Sequence, residues 1–314
     1  RRMTEMNYAA IDIGSNAARL LVKRIEENEG QAKFTKELLL RVPLRLGFDV
    51  FGKGKISEKR EKNMMRLMKS YAYLMKIYDV QKYRACATSA MRDAKNGMDI
   101  IKEIEKKTGI HIEIIGGQEE AQIVYNNHIE YMKDRTGNYL YVDVGGGSTE
   151  INLLSQGELQ CSRSYNIGTV RLLNKAVKES EWTRLKEDMA ELARQYPDTN
   201  IIGSGGNINK LYRLAEKKDK KAQRMTVETL RGLYDELSVL SVEERMDKFS
   251  LKPDRADVIV PAGNIFLTIA DILGSSYIYV PTIGLADGII DGLYAGSKEE
   301  REHGKSLKSL DAEK

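Results

Sequence analysis

The chain has 314 residues, 41% hydrophobic and 31% charged, the balance of a globular protein with room for two domains. Its net charge of +4, from 50 basic against 46 acidic side chains, is spread along the sequence and does not point to nucleic acid. No run reaches the ~18 apolar residues of a membrane helix, and the opening Arg1-Arg2-Met3-Thr4-Glu5-Met6 lacks the apolar core of a signal peptide.

A cytoplasmic protein without a membrane partner is therefore expected. Cys86 and Cys161 match no metal or redox spacing and read as buried free thiols in a reducing compartment.

In chain order, Tyr8–Ile13, Arg19–Ile25 and Phe34–Val42 read as strands opening on hairpins. Ser57–Tyr78 has helical spacing of Met64, Leu67, Met68, Tyr71, Leu74 and Met75, a stripe read as core rather than as a ligand set. A strand over Lys82–Thr88 and a helix over Met98–Lys107 follow, with Thr108-Gly109 as its end. Ile112–Ile115 is the next strand, and Gln118–Met132 the next helix. The order then restarts. Strands are predicted at Tyr139–Val144, Glu150–Leu154 and Glu158–Ile167, helices at Thr169–Val177 and Glu181–Tyr196, and a strand at Asn200–Ile202. Helices over Val227–Leu240 and Asp257–Leu273, a strand over Tyr277–Val280 and a helix over Leu285–Tyr294 complete the second half. The boundary is expected at Lys133–Gly137, and 297–314 as a charged, frayed tail. Lys217-Lys218-Asp219-Lys220-Lys221 reads as a solvated loop, with contact to a polyanion as the alternative.

Two stretches share one pattern. In Asp12-Ile13-Gly14-Ser15-Asn16 and in Asp143-Val144-Gly145-Gly146-Gly147-Ser148-Thr149-Glu150, an apolar run delivers an aspartate to a small-residue turn. Such turns can bare backbone N–H groups to phosphate while the aspartate holds a divalent cation. The first copy is equally compatible with an ordinary hairpin turn. Three consecutive glycines in the second are more than a turn requires. Gly203-Ser204-Gly205-Gly206-Asn207 opens a helix and is either an anion site or a close strand–helix connection. In Gly116-Gly117-Gln118-Glu119-Glu120-Ala121 only one of two adjacent carboxylates can face a cleft, because neighbouring helical residues point about 100° apart. Arg92, after a strand, is suited to forked phosphate contacts. His111, His128 and His303 form no zinc set, and no nucleophile elbow or Cys–His pair is present.

In order, AAIDIGSNAARL, ATSAMRDAKN, IEIIGGQEEA, VDVGGGSTEI, IGTVRL, IGSGGNINKL, RADVIVPAG and GLADGIIDGL resemble the exopolyphosphatase / guanosine pentaphosphate phosphohydrolase family over about residues 7–296. The resemblance implies an α/β fold of two ribonuclease-H-like, actin-like ATPase domains with mixed sheets around a central cleft. The first would span 7–133, joined by the C-terminal helix 285–296, and the second 137–284. It implies hydrolysis of the terminal phosphoanhydride of inorganic polyphosphate or guanosine pentaphosphate with magnesium or manganese. Glu120 and Glu150 would be catalytic, and Asp143, Asp12 and Glu150 would hold metal. Gly14, Ser15, Asn16, Arg92, Gly145, Gly146, Gly147, Ser148, Gly205 and Gly206 would bind phosphate. Ala17, Leu285-Ala286 and Asn207 depart from the family pattern without touching a carboxylate. The C-terminal helical domains of longer members are not expected here, and dimerisation could extend the cleft instead. The alternatives are a sensor that binds guanosine tetra- or pentaphosphate without catalysis, and an ATPase or phosphotransferase of the same superfamily.

Overall fold

The structure, a computed structural model, describes residues 4–131 and 136–311, with side chains described outside Thr4, 127–131 and 301–311. The expected boundary at 133–137 therefore falls mostly outside the described residues, as does the His128 side chain.

The first sheet contains β1 (Thr4–Ile13), β2 (Ala18–Asn28), β3 (Gln31–Val42), β4 (Val80–Ala87) and β5 (Ile112–Ile114), in the order β3-β2-β1-β4-β5. The β1–β2 and β2–β3 pairs are antiparallel, and β4 joins β1 and β5 in parallel. The second sheet contains β6 (Asn138–Val144), β7 (Thr149–Ser155), β8 (Glu158–Tyr165), β9 (Asn200–Ser204), β10 (Arg224–Thr226) and β11 (Tyr277–Tyr279). Its order, β10-β11-β9-β6-β7-β8, repeats the first sheet's pattern of two hairpins and parallel crossovers, with β10 added at the edge. Both are mixed, ribonuclease-H-like sheets, and β1 and β6 are topological equivalents. Each is flanked by strands on both sides, so both end in a protected place, β1 just after Asp12 and β6 just after Asp143.

The helix Glu58–Ile77 starts at Ser57, whose hydroxyl accepts from Arg60 N, and buries Met64, Met68, Tyr71 and Met75 against the first sheet. The methionine stripe is core. Segment Pro253–Leu273 has the length and hydropathy of a membrane span, against the sequence expectation. In the fold, 61% of that window is buried, and Ile259, Ile265, Phe266 and Ile269 lie in the second core. The last helix, Leu285–Asp311, packs Leu285, Ala286, Ile289 and Ile290 against Tyr8, Ala10, Leu21 and Ile25 of the first sheet. It continues past the expected end into the lysine- and glutamate-rich stretch, whose residues are strong helix formers.

Several elements escape the periodicity. Helices Leu46–Lys53, Ser89–Asp93 and Val242–Phe249 are short, and the first carries Gly47 and Gly52, so packing rather than propensity forms it. The helix expected over Thr169–Val177 stops at Leu173, where Lys175 takes φ 52°. The two halves meet through the ion pairs Arg41–Asp254 and Arg45–Asp257, each 2.6 Å, and Asn16 Nδ2 donates to Asp254 O at 3.0 Å.

Candidate active site

The two aspartate–glycine turns face each other. Gly14 N donates to Ala17 O at 3.0 Å in the β1–β2 turn, and Gly145 N donates to Ser148 O at 2.9 Å in the β6–β7 turn. A Cβ on Gly146 would lie 2.9 Å from Ser15 Cβ, and one on Gly147 would lie 2.5 Å from Ser89 Cβ. Glycine is needed here because the loops approach more closely than any side chain permits.

A short helix backs each loop. Ser15 O accepts from Gly47 N and Asn16 O from Arg45 N, each at 2.8 Å. Gly145 O accepts from Thr169 N (3.0 Å), and Gly146 O from Val170 N (2.8 Å) and Arg171 N (3.0 Å). Gly147 O accepts from Arg171 Nε at 2.8 Å. Across a trans peptide, a carbonyl and the next N–H point in opposite directions. The N–H groups of Gly146, Gly147 and Ser148 are thereby turned from the backing helix, on the side of the cleft that these residues line. That cleft has a volume of ≈ 320 Å³.

The carboxylates come from three elements. Glu120 sits in the first turn of helix Gly117–Tyr131, Asp143 on β6 and Glu150 on β7, directly opposite Asp143 in the register. Close packing of that helix on the second sheet brings them together. A Cβ on Gly117 would strike Ser164 Oγ at 2.3 Å, and Asn152 Nδ2 donates to Ala121 O at 3.0 Å. Glu120, Asp143 and Glu150 each offer an oxygen within 4.8 Å of the others. Glu119 points away and pairs with Arg84 at 2.7 Å, while Glu120 is buried.

Burial first, then Glu150, Asp143 and Asp12, pushes the Glu120 carboxyl well up, against Arg92. Burial and Asp143 push Glu150 up, opposed by the hydroxyls of Ser148 and Ser164, the latter 2.9 Å away. Asp143 is pushed up to about 6 by burial and then by Asp12, with Ser204 and Arg19 opposing. Glu120 Oε2 and Glu150 Oε2 are buried with no hydrogen-bond partner among the described residues. An all-oxygen set of mutually repelling carboxylates with unpartnered oxygens fits a hard divalent cation.

Asp12 stands outside this cluster, buried, with Arg19 Nη1 3.4 Å from Oδ2. Arg92 does not line the cleft: Nη1 donates to Ile115 O at 2.7 Å, and Nη2 reaches Ser89 Oγ at 3.4 Å. Its charge reaches Glu120 and Glu150 from behind. Gly205, at φ +107°, lets the chain turn past Asp143, whose Oδ1 would lie 3.2 Å from a Cβ there. Gly14, Ser15, Asn16, Gly145, Gly146, Gly147, Ser148, Gly205 and Gly206 all line the cleft.

Sequence reasoning missed the cations of the cleft wall. Arg19, Arg41 and Arg255, with Lys210 and Arg213 from one helix, Gly206–Leu214, line it from four separate places in the sequence. Arg255 is pulled down to about 9 by burial, then by Arg41 and Arg19. Arg255 donates to Asn207 Oδ1. Among the described residues Lys210, Arg213 and Arg255 have no ion-pair partner, so the wall carries uncompensated positive charge facing the cleft. Arg19, Lys210 and Arg255 lie inside the quoted motif stretches, but nothing local marks them as facing one cleft.

The raised Asp143 value makes stability pH-dependent in a defined direction. Its folded value of about 6 exceeds its ordinary 3.8, so its contribution is fully present below 3.8 and is lost as pH rises through about 6. In chelator-treated protein, Asp143→Asn is expected to melt higher than the wild type, by a margin that widens from about pH 4 to about pH 7. Thermal melts across that range measure it. A margin independent of pH would mean that Asp143 is not raised.

The Ppx/GppA phosphatase family model matches residues 27–295. A bifunctional 3-dehydroquinate synthase/phosphatase of Fusobacterium nucleatum is 29% identical over 310 residues, covering 91% of this chain and 46% of that protein. A guanosine-5'-triphosphate,3'-diphosphate pyrophosphatase of Aeromonas hydrophila is 25% identical over 316 residues, covering 96% of this chain and 62% of that protein. The chain thus spans about half to three fifths of the length of these relatives. The crystal structure of the Aquifex aeolicus member of the Ppx/GppA family superposes with a TM-score of 0.73 at 27% identity, covering 94% of this chain and 99% of that one. With its two repeated sheets and facing glycine loops, the chain belongs to the Ppx/GppA phosphatase family.

Proposed function

We propose that the chain hydrolyses the terminal phosphoanhydride of inorganic polyphosphate or guanosine pentaphosphate, with Glu120 as the base that activates water. The observation that carries this reading is the buried Glu120 carboxylate with its unpartnered Oε2, gathered with Asp143 and Glu150 beside two facing glycine loops. Family membership and the name of the Aeromonas relative support it.

The terminal phosphoryl group lies against the N–H groups of Gly146, Gly147 and Ser148, with the first loop at Gly14–Asn16 opposite. These donors are fixed before substrate arrives, so they stabilise developing charge without reorganising. Glu120 orients the attacking water and takes its proton; a carboxyl raised toward neutral pH is a stronger base than an ordinary one. Ser164 holds Glu150 in place from β8. Magnesium or manganese bound by Asp143 and Glu150, with Asp12 nearby, would supply the positive charge that a polyanion requires. Arg19, Arg41, Lys210, Arg213 and Arg255 attract and hold the rest of the substrate, which carries several charges beyond the one cleaved.

The test is phosphate release from long-chain polyphosphate, tripolyphosphate, guanosine pentaphosphate and ATP, each with magnesium and with excess EDTA. Release from at least one of the first three, abolished by EDTA, is expected. No release from any of them overturns the reading, and preference for ATP favours an ATPase.

Cation binding has its own readout. At magnesium about 100 times the dissociation constant, the folded state gains about 2.7 kcal/mol. Magnesium is expected to raise the wild-type melting temperature and to leave Asp143→Asn almost unmoved. Equal shifts in both proteins would place the cation elsewhere.

A further inference from the structure

Arg171 follows the second half's last hairpin, in the helix Thr169–Leu173, and its side chain is only 10% exposed. It makes three contacts in three directions. Nε donates to Gly147 O at 2.8 Å. Nη2 meets Asp93 Oδ2 at 2.8 Å, and Asp93 belongs to the first half, at the end of helix Ser89–Asp93. The guanidinium lies 4.0 Å over the ring of Phe51, from the helix that backs the first phosphate loop. The same Ser89–Asp93 helix carries Ser89, whose hydroxyl donates to Ser148 Oγ at 2.9 Å.

The three carbonyls of the glycine run are not held alike. Those of Gly145 and Gly146 accept from backbone N–H groups of the helix Thr169–Leu173 in the same half. The Gly147 carbonyl is held by a side chain, and that side chain is tied to Asp93 of the first half. Because the peptide is planar and trans, whatever aims the Gly147 carbonyl also aims the Ser148 N–H in the opposite direction.

We propose that Arg171 is a positioning residue: it turns the Ser148 N–H into the cleft toward the phosphoryl group, and Asp93 of the first half holds Arg171 in that pose. The cradle is then complete only when the two halves are together, so this donor is aligned by the contact between them. This rests on the hydrolytic reading above. A planar fork is required, since one group must bond a carbonyl, meet a carboxylate and stack on a ring; lysine satisfies only part of this.

The experiment measures kcat and KM on tripolyphosphate for Arg171→Met, Arg171→Lys, Asp93→Asn and Arg171→Met/Asp93→Asn. Loss of one oriented oxyanion donor costs about 10²–10³ in kcat, so Arg171→Met is expected to lose about 10²-fold in kcat with KM nearly unchanged. Arg171→Lys recovers little. Asp93→Asn loses less, and the double variant is no worse than Arg171→Met, because Asp93 acts through Arg171. Independent losses in the double variant, an effect on KM alone, or an unchanged kcat overturns the proposal. Hydrogen exchange decides it without turnover. Inorganic phosphate is expected to slow exchange at Ser148 in the wild type but not in Arg171→Met, while slowing at Asn16 survives in both. Equal slowing at Ser148 in both proteins also overturns it. Wild-type protein that releases no phosphate from any substrate sinks the hydrolytic reading instead, and the exchange result still stands for Arg171. Should Arg171→Met fail to fold, Asp93→Asn and Arg171→Lys carry the same comparison.

Discussion

Glu120→Gln is expected to fold and to release phosphate about 10²–10⁴-fold more slowly than the wild type, the usual worth of a positioned general base. Glutamine keeps the shape of the side chain and its place in the first turn of helix Gly117–Tyr131, but cannot take a proton from water. The fold has no reason to suffer. The wild-type carboxylate is buried, has an unpartnered oxygen and faces Glu150, Asp143 and Asp12. Its raised value means that it destabilises the metal-free protein increasingly as pH rises above the ordinary glutamate value of 4.5. In EDTA, Glu120→Gln should therefore melt higher than the wild type at about pH 8, with the advantage fading toward about pH 4. Activity lost together with melting temperature would point to a structural carboxylate. Activity retained would remove Glu120 from the chemistry.

Gly168→Ala is expected to damage the site through sterics alone. Gly168 has extended backbone angles, φ −146° and ψ 164°, which any residue adopts. The obstacle is space. A Cβ there would lie 2.4 Å from C and O of Gly146 and from N of Gly147. All three are backbone atoms of the second glycine loop, where Gly146 O accepts from the Val170 and Arg171 N–H groups, and they cannot yield as a flexible side chain could. Overpacking of this kind costs about 1–3 kcal/mol and occasionally more, and the rigidity of the loop puts this case at the top of that range. A fall of several degrees in melting temperature should accompany a loss of about 10²-fold in activity, since a loop displaced by about 1 Å misaims its donors. Thermal melts and phosphate-release rates on the same preparation check both. An alanine variant with wild-type stability would show that the loop is looser than its contacts imply.

How much of this could be read from the chain depends on whether the cause is local. Strands β1 and β6 announce themselves as apolar runs, and the turns after Asp12 and Asp143 as glycine and small polar residues, because turn chemistry is written in neighbouring positions. The methionine stripe of Glu58–Ile77 was equally visible, since core packing follows helical spacing. Glu120 could be limited to one of two adjacent carboxylates by geometry, but its choice over Glu119 came from family resemblance. The structure places Glu119 outward on Arg84. What stayed hidden was tertiary. Helix Leu46–Lys53 has two glycines and no clear period, yet Gly47 N and Arg45 N hold the first loop. Gly168 looks like an unremarkable glycine until the fold lays it against Gly146. Arg19, Arg41 and Arg255 converge from β2, β3 and the short helix Pro253–Ala256 over two hundred residues away, and no local pattern encodes that meeting. Arg92 was expected to bind phosphate from its residue type, but the Ile115 carbonyl holds its guanidinium behind the glutamates.

The most direct measurement is the fate of the oxygen atom. Wild-type protein is incubated with magnesium and tripolyphosphate in water enriched in ¹⁸O, and the released phosphate is weighed by mass spectrometry. If Glu120 activates water for attack on the terminal phosphorus, each released phosphate carries one oxygen from solvent. Glu120→Gln then yields almost no labelled phosphate. Terminal phosphoryl groups appearing on another acceptor without solvent label, or labelled phosphate formed equally well by Glu120→Gln, would contradict the account.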